Sequence, residues 1–575
     1  MTDSLLPAAL SPGVIFILTG LLAYVAPLTV RRPLMLAGIA LSALQLSSYG
    51  PGLHVIGSIA GFETAGVHID KLSMLFAIVF HIAAALNVIY GWFVTDRAQT
   101  AAGLVYPGAA LGGVLSGDLM TLFVYWEIAA LSSVFLIWAS KDEASYKAGM
   151  RYLIIQIASG VLLLGGVVLH ARMTGSLAFT GAFSLRDETG ALVPSALLLF
   201  IAFGIKSAFP LLHNWVQDSY PKSTISGTII LSVFTTKLAV YSLARGFPGT
   251  SELIWIGAVM TIFPIFFALI ENDLRKVLTY SINNQVGFMV VGIGIGTPIA
   301  LNGAVGYAFC NIIFESLLFM SVGAVMYRTG TSKATELGGL YKSMPLTTTL
   351  CIIGALSISA FPLFAGFVTK GMIIDGVAKE HMTAIWLILL FASAGVLEHA
   401  GIKIPYFAFF AHDSGKRPAE APFTMQLAMG ISAVLCVVIG LFPNAFYALL
   451  PAEVEYHPYT AAHVVTQLQL LLFAILAFVA LVKFKLYPPE VPSTNLDFDW
   501  LYRVPGRKLT MWGVDIVGRL WSGAWYKLLS SSRTVIDRVY WLHGPEGRLA
   551  RTWPLGSMAL WTAILLGVLL VVNYL

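Results

Sequence analysis

Apolar runs, most of them longer than about 18 residues, recur along nearly the whole chain and constrain its fold more than any other feature. A segment in lipid must satisfy its own backbone hydrogen bonds, so runs of this length predict spanning α-helices. Charged residues make up only 11% of the 575 residues, whereas soluble domains carry about 25%. The sequence therefore predicts an all-α polytopic membrane protein with about 14–15 transmembrane helices.

Two lysines lie inside such runs between Leu197 and Arg245. Lys206 and Lys237 have mostly apolar neighbours, and Pro210 follows the first of them by one helical turn. A charged side chain at the bilayer centre costs roughly 2.5–3.5 kcal/mol on insertion scales. Proline removes a backbone hydrogen bond, and the carbonyl that it frees needs another partner. This combination predicts a broken helix and a site where ions or protons move.

A second segment of the same kind follows later in the chain. Lys370 comes after Pro362 in the run ISAFPLFAGFVTKGMII, which predicts a second broken helix. Two interrupted helices in corresponding halves of a chain indicate inverted repeats. Glu127 lies in the middle of another apolar run, and we expect Glu315 to be its counterpart in the second half.

Glu398 and Lys403 are candidates to complete the second set, and His399 lies between them. A lone histidine of this kind is either a proton relay or a hydrogen-bonded structural residue, and the sequence leaves both open. A lysine removed from water releases its proton more readily, and a carboxylate within about 4–6 Å reverses this effect. The sequence therefore predicts a proton path formed by Glu127, Lys206, Lys237, Lys370, Glu315 and His399.

No cofactor or metal site is expected. Cys310, Cys351 and Cys436 all fall inside apolar runs without CxxC spacing or neighbouring histidine clusters, which is typical of small core residues. The net charge of +5 is spread over loops, and no basic tract interleaved with aromatic residues predicts nucleic-acid binding.

The order of apolar and polar segments predicts six parts of the chain. A polar loop is expected before the helix Leu72–Phe93. Aromatic, aliphatic and charged residues mix at partly helical spacing after residue 495, which favours an amphipathic helix in the membrane interface; an ordinary polar loop is the alternative. The predicted parts are N-terminal helices (1–100), a first repeat (101–245), a second repeat (251–411), C-terminal core helices (424–484), an amphipathic lateral segment (487–552) and a last transmembrane helix (556–575).

Several motifs in this order resemble a known family. They are SGDLMTLFVYWEIAALSS, LLFIAFGIKSAFPLLHNWVQDSYPKSTISG, TTKLAVYSLAR, ENDLRKVLTYSINNQVGFM and FPLFAGFVTK. Over roughly residues 70–410 the chain resembles the antiporter-like subunits of respiratory complex I, membrane hydrogenases and Mrp-type sodium/proton antiporters, and most of all the D subunit of the Mrp type. The resemblance implies about fourteen core helices with two inverted five-helix repeats, and proton transfer along a central polar axis that is coupled through Glu–Lys pairs to neighbouring subunits.

The resemblance also assigns roles to individual residues. The family has a glutamate in its fifth helix and lysines in the broken seventh, the eighth and the broken twelfth helices, which correspond here to Glu127, Lys206, Lys237 and Lys370. The segment 495–575 exceeds a minimal D subunit and is similar to the lateral-helix tail of the distal subunit of complex I.

Two departures from the family pattern stand out. The family usually has a histidine and a lysine four residues apart in its tenth helix, where this chain has Asn311 and Glu315. Lys222-Ser223-Thr224 also replaces the usual Pro-Thr after the seventh helix. A carboxylate in place of a lysine inverts the local charge, so the second half either conducts protons in another way or hosts a cation.

Together these features predict a proton-translocating subunit of a multi-subunit Na+/proton antiporter, a multi-pass protein of the bacterial inner membrane. Its expected partners are the other membrane subunits, protons, Na+ and the lipid bilayer, without nucleic acid. The same module in a redox-driven complex or an inorganic-carbon uptake system is the first alternative, and a non-transporting structural subunit is the second. In none of these roles is the chain itself expected to be an enzyme, although it can belong to a complex with oxidoreductase activity.

Overall fold

The computed structural model describes residues 11–59, 61–487, 491, 495–547, 549 and 554–574. The chain divides into two compact units, the first ending at Asn495 and the second beginning at Leu496. The predicted lateral segment begins at residue 487, and its residues 488–490, 492–494, 548 and 550–552 lie outside the described part. The finer division into six parts stays a prediction.

Helices dominate the first unit. They are α1 (Pro12–Val25), α2 (Leu28–Ser48), α3 (Lys71–Tyr90), α4 (Arg97–Leu115), α5 (Leu119–Trp138), α6 (Glu143–Thr174), α7 (Pro194–Lys206), α8 (Asn214–Ser219), α9 (Ile225–Gly246), α10 (Ser251–Ile270), α11 (Leu274–Ile295), α12 (Pro298–Thr329), α13 (Pro345–Ile358), α14 (Ala365–Lys379), α15 (Thr383–Val396), α16 (Lys403–Pro405), α17 (Phe423–Leu441), α18 (Pro443–Tyr447) and α19 (Ala461–Lys483).

The second unit holds three helices. They are α20 (Asp499–Leu501), α21 (Arg507–His543) and α22 (Leu555–Tyr574). Across the described residues, ten helices are long and apolar enough to cross a membrane, and α1, α7 and α13 are shorter apolar helices. The predicted helical, polytopic membrane class is confirmed.

A β-hairpin occupies the stretch that the sequence predicted to be a polar loop. Strands β1 (Gly52–Ile59) and β2 (Phe62–Ile69) pair antiparallel. The hairpin is held to the helices because Asp118, the N-cap of α5, accepts a hydrogen bond from the backbone N–H of Ala65 at 2.9 Å. The sequence offered no Asn-Gly or Asp-Gly turn, which is the strongest short-range signal for a hairpin.

The first broken helix comes about where Pro210 predicted it. Helix α7 ends at Lys206 and α8 begins at Asn214. Between them Ala208 has a φ of 63° and Leu211 a φ of 72°, which is the left-handed region that side-chain-bearing residues rarely adopt.

The second break repeats the first almost residue for residue. The sequence Ser-Ala-Phe-Pro-Leu occurs at 207–211 and again at 359–363, and in the second copy Ala360 has a φ of 56° and Leu363 a φ of 76°. The serine that opens each copy donates its hydroxyl to the carbonyl four residues earlier, at 2.9 Å from Ser207 and 2.7 Å from Ser359. Each predicted repeat therefore contains one broken helix of the same backbone form.

The centre of the first unit is built on α9 and α12. Helix α9 is buried from Ser226 to Gly246, and α12 is buried almost continuously from Ala300 to Val325. In a membrane protein such enclosed helices can carry polar side chains, because neighbouring helices and not lipid surround them.

The longest helix, α21, belongs to the second unit. It runs for 37 residues, and none of them is buried in the described part of the chain. Trp521 and Trp525, one turn apart, stack with their ring centres 6.5 Å from each other. The predicted amphipathic segment is therefore helical over 507–543, and the polar-loop alternative is wrong there.

Candidate functional site

The first site lysine lies at the end of a half-helix. Lys206 is the last residue of α7 and only 1% exposed. Its Nζ donates to the backbone carbonyl of Trp126 at 2.8 Å and lies 4.2 Å from the centre of the Trp126 ring. The indole N–H of Trp126 in turn donates to the hydroxyl of Ser159 at 3.1 Å.

Glu127 follows Trp126 on α5 and is half-buried. Its charge interacts with that of Lys206, although the lysine donates to the neighbouring carbonyl and not to the carboxylate. A Cβ at Gly160 of α6 would stand 1.4 Å from Glu127 Oε1. Glycine at this position therefore makes room for the carboxylate between α5 and α6.

A close ion pair lies at the centre of the unit. Lys237 Nζ is 3.2 Å from Glu315 Oε2, and the two side chains are 0% and 1% exposed. Lys237 also donates to the carbonyl of Ser232 at 2.9 Å. Because α9 belongs to the first predicted repeat and α12 to the second, this ion pair joins the two halves of the chain.

The sequence assigned Glu315 differently. It was expected to be the second-half counterpart of Glu127, but the structure makes it the partner of Lys237. Helix α12 is moreover the eleventh core helix when each broken helix counts once, so Asn311 and Glu315 lie in the eleventh helix and not in the tenth. The pairing depends on two helices that are 78 residues apart in the chain, which no local pattern reveals.

A polar stripe on α12 leads from this pair into the second half. Tyr307, Asn311 and Glu315 are four residues apart, so they share one face of the helix. The hydroxyl of Tyr307 donates to Gln285 Oε1 on α11, and Gln285 donates to Asn284 Oδ1 at 3.1 Å. Sequence reasoning missed Tyr307, Gln285 and Asn284; the run Asn283–Gln285 inside an apolar helix was the signal that would have indicated them.

The third site lysine lies near the end of this polar stripe that is farther from Glu315. Lys370 on α14 is 1% exposed, and its Nζ donates to the carbonyl of Ile358, the last residue of α13, at 3.1 Å. The same ammonium lies 5.0 Å from the centre of the Phe288 ring and 5.4 Å from that of Tyr307.

His399 is fully buried beyond Lys370. It lies in π-helical turns, Leu397–Ile402, where its Nδ1 bonds the carbonyl of Gly395 at 2.6 Å. Within the described part of the chain, its Nε2 has no hydrogen-bond partner. One ring nitrogen is therefore structural and the other is available, so both of the roles left open by the sequence remain compatible with its position.

Lys403 has a structural role. Its Nζ donates to the carbonyls of Leu269 and Glu271 at 2.7 Å each, and to that of Ala268 at 3.3 Å. These carbonyls close the C-terminal end of α10, where a cation is favoured by the helix dipole. Lys403 therefore caps a helix.

A cluster of buried hydroxyl groups lies around α9 in the first half, and sequence reasoning missed it. The hydroxyl groups of Tyr106 and Thr235 are hydrogen-bonded at 2.6 Å, and those of Tyr152 and Ser133 at 2.7 Å. Thr235 is two residues before Lys237. Aromatic residues on separate helices carry no pattern that would predict their convergence.

An ion pair at the edge of the spans ties the β-hairpin to α9. Arg245 donates to both carboxylate oxygens of Asp70 at 2.9 and 2.8 Å. Partial burial acts to raise the pKa of Asp70, but Arg245 and the backbone N–H of Ser73 outweigh it and hold the pKa below its usual value. Burial, followed by the nearby Arg245, lowers the pKa of His68.

The three cysteines are buried and free. In the described residues, no group of three or more His, Cys, Asp or Glu side chains is placed to hold a metal ion. Among the described residues, the buried ionisable groups thus occur as one close ion pair, Lys237 with Glu315, and as single charges held by backbone carbonyls.

Comparison with known proteins extends this description. Residues 116–396 match the family profile described as NADH:quinone oxidoreductase/Mrp antiporter, TM. The A subunit of the Na(+)/H(+) antiporter of Alkalihalophilus pseudofirmus is 28% identical over 434 residues, which are 67% of this chain and 54% of the relative. Hydrogenase-4 component B of Escherichia coli is 29% identical over 352 residues, 55% of this chain and 52% of the relative. The D subunit of the Bacillus subtilis Na(+)/H(+) antiporter is 27% identical over 314 residues, 52% of this chain and 64% of the relative. The match thus spans about half to two thirds of the length of these relatives.

Two solved structures share the fold. A chain of the Mrp complex from Dietzia sp. superposes with a TM-score of 0.66 at 21% identity, covering 77% of this chain and 95% of the other. A chain of the membrane-bound sulfane sulfur reductase, an archaeal respiratory membrane complex, superposes with a TM-score of 0.71 at 20% identity, covering 98% and 100%. The resemblance drawn from the sequence is confirmed: over residues 116–396 the chain is similar to the transmembrane domain of the NADH:quinone oxidoreductase/Mrp antiporter family.

Proposed function

We propose that this chain is the proton-translocating subunit of a multi-subunit cation/proton antiporter. The observation that carries the proposal is the row of buried ionisable side chains through both halves of the first unit. In chain order of the two halves it comprises Glu127, Lys206, Lys237, Glu315, Lys370 and His399. Ionisable residues inside spans are costly and mark ion or proton pathways.

The members of the row differ in what holds them, so a change in nearby charge would alter their proton affinities to different extents. Lys237 has a carboxylate in contact, whereas Lys206 and Lys370 donate to backbone carbonyls. A charge that arrives beside one member changes the proton affinity of the next, because electrostatic interactions are strong away from water. Protonation of Glu315 would release Lys237, and the polar stripe on α12 would then link the halves through hydroxyl and amide groups.

Buried polar atoms without a protein partner follow the same row. In the described residues they include Glu127 Oε1, Glu315 Oε1 and His399 Nε2. Such atoms usually bind ordered water in folded proteins. Water molecules between the members of the row would complete a chain of proton donors and acceptors.

The half-buried position of Glu127 supports a partner subunit. Helices α5 and α6 expose large apolar side chains around it, among them Leu131, Phe135 and Val161. Glu127 Oε1 is buried, but the residue as a whole is half-exposed on this face. Partial exposure of a carboxylate to lipid would be costly, so we propose that another membrane subunit covers this face and brings a cation near Glu127. In this role the chain is a transporter subunit of a bacterial inner membrane, with Na+ as the exchanged cation, and is not itself an enzyme.

A redox-driven complex is the second candidate. The likeness to hydrogenase-4 component B and to a chain of a sulfane sulfur reductase favours it, because the same proton path would serve either driving force. A structural subunit without transport is the alternative from another class, and it gives no reason for a row of buried charges.

The proposal is tested by cation-dependent proton movement in inverted vesicles from cells that express the whole operon. We expect Glu127→Gln and Lys206→Gln to abolish it while the complex still assembles. Lys222→Gln is the matched control, since this lysine is exposed and lies outside the row. Full activity in both site variants would refute the proton path, and proton movement driven only by an electron donor would favour the redox complex.

A further inference from the structure

The two lysines at the helix breaks are bound in the same way, although they belong to different halves. Lys206 donates to the carbonyl of Trp126 and lies over the Trp126 ring at 4.2 Å. Lys370 donates to the carbonyl of Ile358 and lies 5.0 Å from the Phe288 ring. In the described part of the chain, each ammonium thus combines one backbone carbonyl with an aromatic face.

The central lysine is bound differently. Lys237 has a carboxylate oxygen at 3.2 Å, and no aromatic ring of the described residues lies under its ammonium group. An ion pair in a buried site holds a proton firmly. The face of an aromatic ring attracts a cation less strongly and acts within about 6 Å of the ring centre.

We propose that Trp126 and Phe288 are positioning residues that hold Lys206 and Lys370 in their ammonium form. This inference rests on the proposed proton path and adds the groups that stabilise the protonated form of its two relay lysines. A ring face favours the ammonium over the neutral amine without a counter-charge that would have to be moved when the proton leaves. The rings also take the place of water beside each lysine, so that the proton passes only to the next polar group.

The packing of the two rings shows that they are held in place independently of the lysines. Trp126 is fully buried, and its indole N–H donates to Ser159, whose hydroxyl donates to the carbonyl of Ala202 at 2.9 Å. Phe288 is fully buried and packs edge-to-face against Tyr307, with ring centres 6.3 Å apart.

Few titratable groups face the two lysines. Glu127 on α5 acts on Lys206. Lys370 is faced by His399 from the π-helical turns and by Tyr307 from α12. Neither Trp126 nor Phe288 titrates, so a pH effect of replacing them must act through the lysine that each ring faces.

The test replaces the rings and follows the alkaline limb of the pH profile of proton movement. We expect Trp126→Leu and Phe288→Leu to move this limb to lower pH by roughly 0.4–1.5 pH units, while Trp126→Phe largely restores it. Ser159→Ala removes the same indole hydrogen bond but keeps the ring, so this control should keep the wild-type limb.

A second readout separates this inference from the proposed function. The pH dependence of the Tm of the solubilised complex should shift to lower pH in the same two leucine variants, and this measurement needs no transport. Wild-type vesicles that move no protons would overturn the proposed function. The pH dependence of the Tm would then still test whether the two rings stabilise the ammonium form of the lysines. If Trp126→Leu does not assemble, Phe288→Leu carries the test, since it removes no hydrogen bond. Leucine variants with wild-type profiles, or a Ser159→Ala control that shifts as much as they do, would overturn the inference.

Discussion

Removing the central carboxylate gives the sharpest test of how the row of charges is built. Glu315→Gln leaves the fully buried Lys237 ammonium without its counter-charge, and among the described residues the carbonyl of Ser232 is the other group that it contacts. Breaking a buried ion pair from one side costs about 3–5 kcal/mol, because the remaining charge is uncompensated. We therefore expect a large loss of stability from a substitution that changes the side-chain volume very little.

The loss has an upper limit that depends on pH. Lys237 can avoid the cost of an unpaired buried charge by releasing its proton. Releasing it costs about 1.36 kcal/mol for each unit by which the pH lies below the ordinary lysine pKa of about 10.4. The limit is about 4 kcal/mol near pH 7.4 and about 1.4 kcal/mol near pH 9.4. The Glu315→Gln variant should therefore recover most of its stability at alkaline pH.

Thermal unfolding of the solubilised complex, followed at both pH values, measures this difference. The double variant Lys237→Met with Glu315→Gln removes both charges and should be about as stable as the wild type near pH 7.4, because buried pairs are often replaceable by neutral groups. It should still fail to move protons in vesicles. A Glu315→Gln variant with the same stability deficit at both pH values would refute the reasoning, and so would a double variant that transports.

Three further predictions concern other parts of the first unit. Gly160→Ala should lower proton movement, because its Cβ would displace the Glu127 carboxylate from the position of Oε1, whereas Gly165→Ala on the same helix meets only an ordinary contact at 3.5 Å and should transport normally; a Gly160→Ala complex with the wild-type rate would contradict the assigned position of Glu127. Lys403→Met should lower stability by about 2–3 kcal/mol, since it leaves the carbonyls at the end of α10 without their charged donor, and a Tm equal to that of the wild type would argue against a capping role. Because the pKa of Asp70 lies below its usual 3.8, the Asp70–Arg245 pair stabilises the fold above about that pH and is lost as pH falls through the folded value. Asp70→Asn should therefore lower the Tm at neutral pH, with the difference from wild type closing below about pH 3.8, and a difference that persists in acid would show that the pair is not its cause.

The sequence predicted the features that depend on local chemistry. Pro210 and Pro362 placed the two helix breaks, because proline prevents a helix from continuing. Lys206, Lys237 and Lys370 were recognisable because each is an isolated charge in an apolar run, and the structure buries all three.

Features that depend on packing between distant helices were not predictable in this way. The partner of Lys237 is on a helix 78 residues away, and Tyr106 meets Thr235 across 129 residues. Lys403 looked like a site residue because its sequence context is as apolar as that of Lys370. Its role follows only from where α10 ends, which is a matter of tertiary geometry. The β-hairpin at 52–69 was missed because its turn carries no characteristic pair of residues.

The brevity of α7 has an electrical consequence. Its 13 residues span about 20 Å, whereas the hydrocarbon core of a bilayer is about 30 Å thick. If the Pro194 end of α7 lies at the membrane surface and α7 runs along the membrane normal, a proton that reaches Lys206 from that end on the proposed path crosses about two thirds of the transmembrane voltage. A potential of about 100 mV is worth about 2.3 kcal/mol per elementary charge, so this lysine senses about 1.5 kcal/mol of it, about a tenfold change in proton occupancy. On the proposed proton path, the break would therefore make the proton occupancy of Lys206 depend on the membrane voltage without any moving helix.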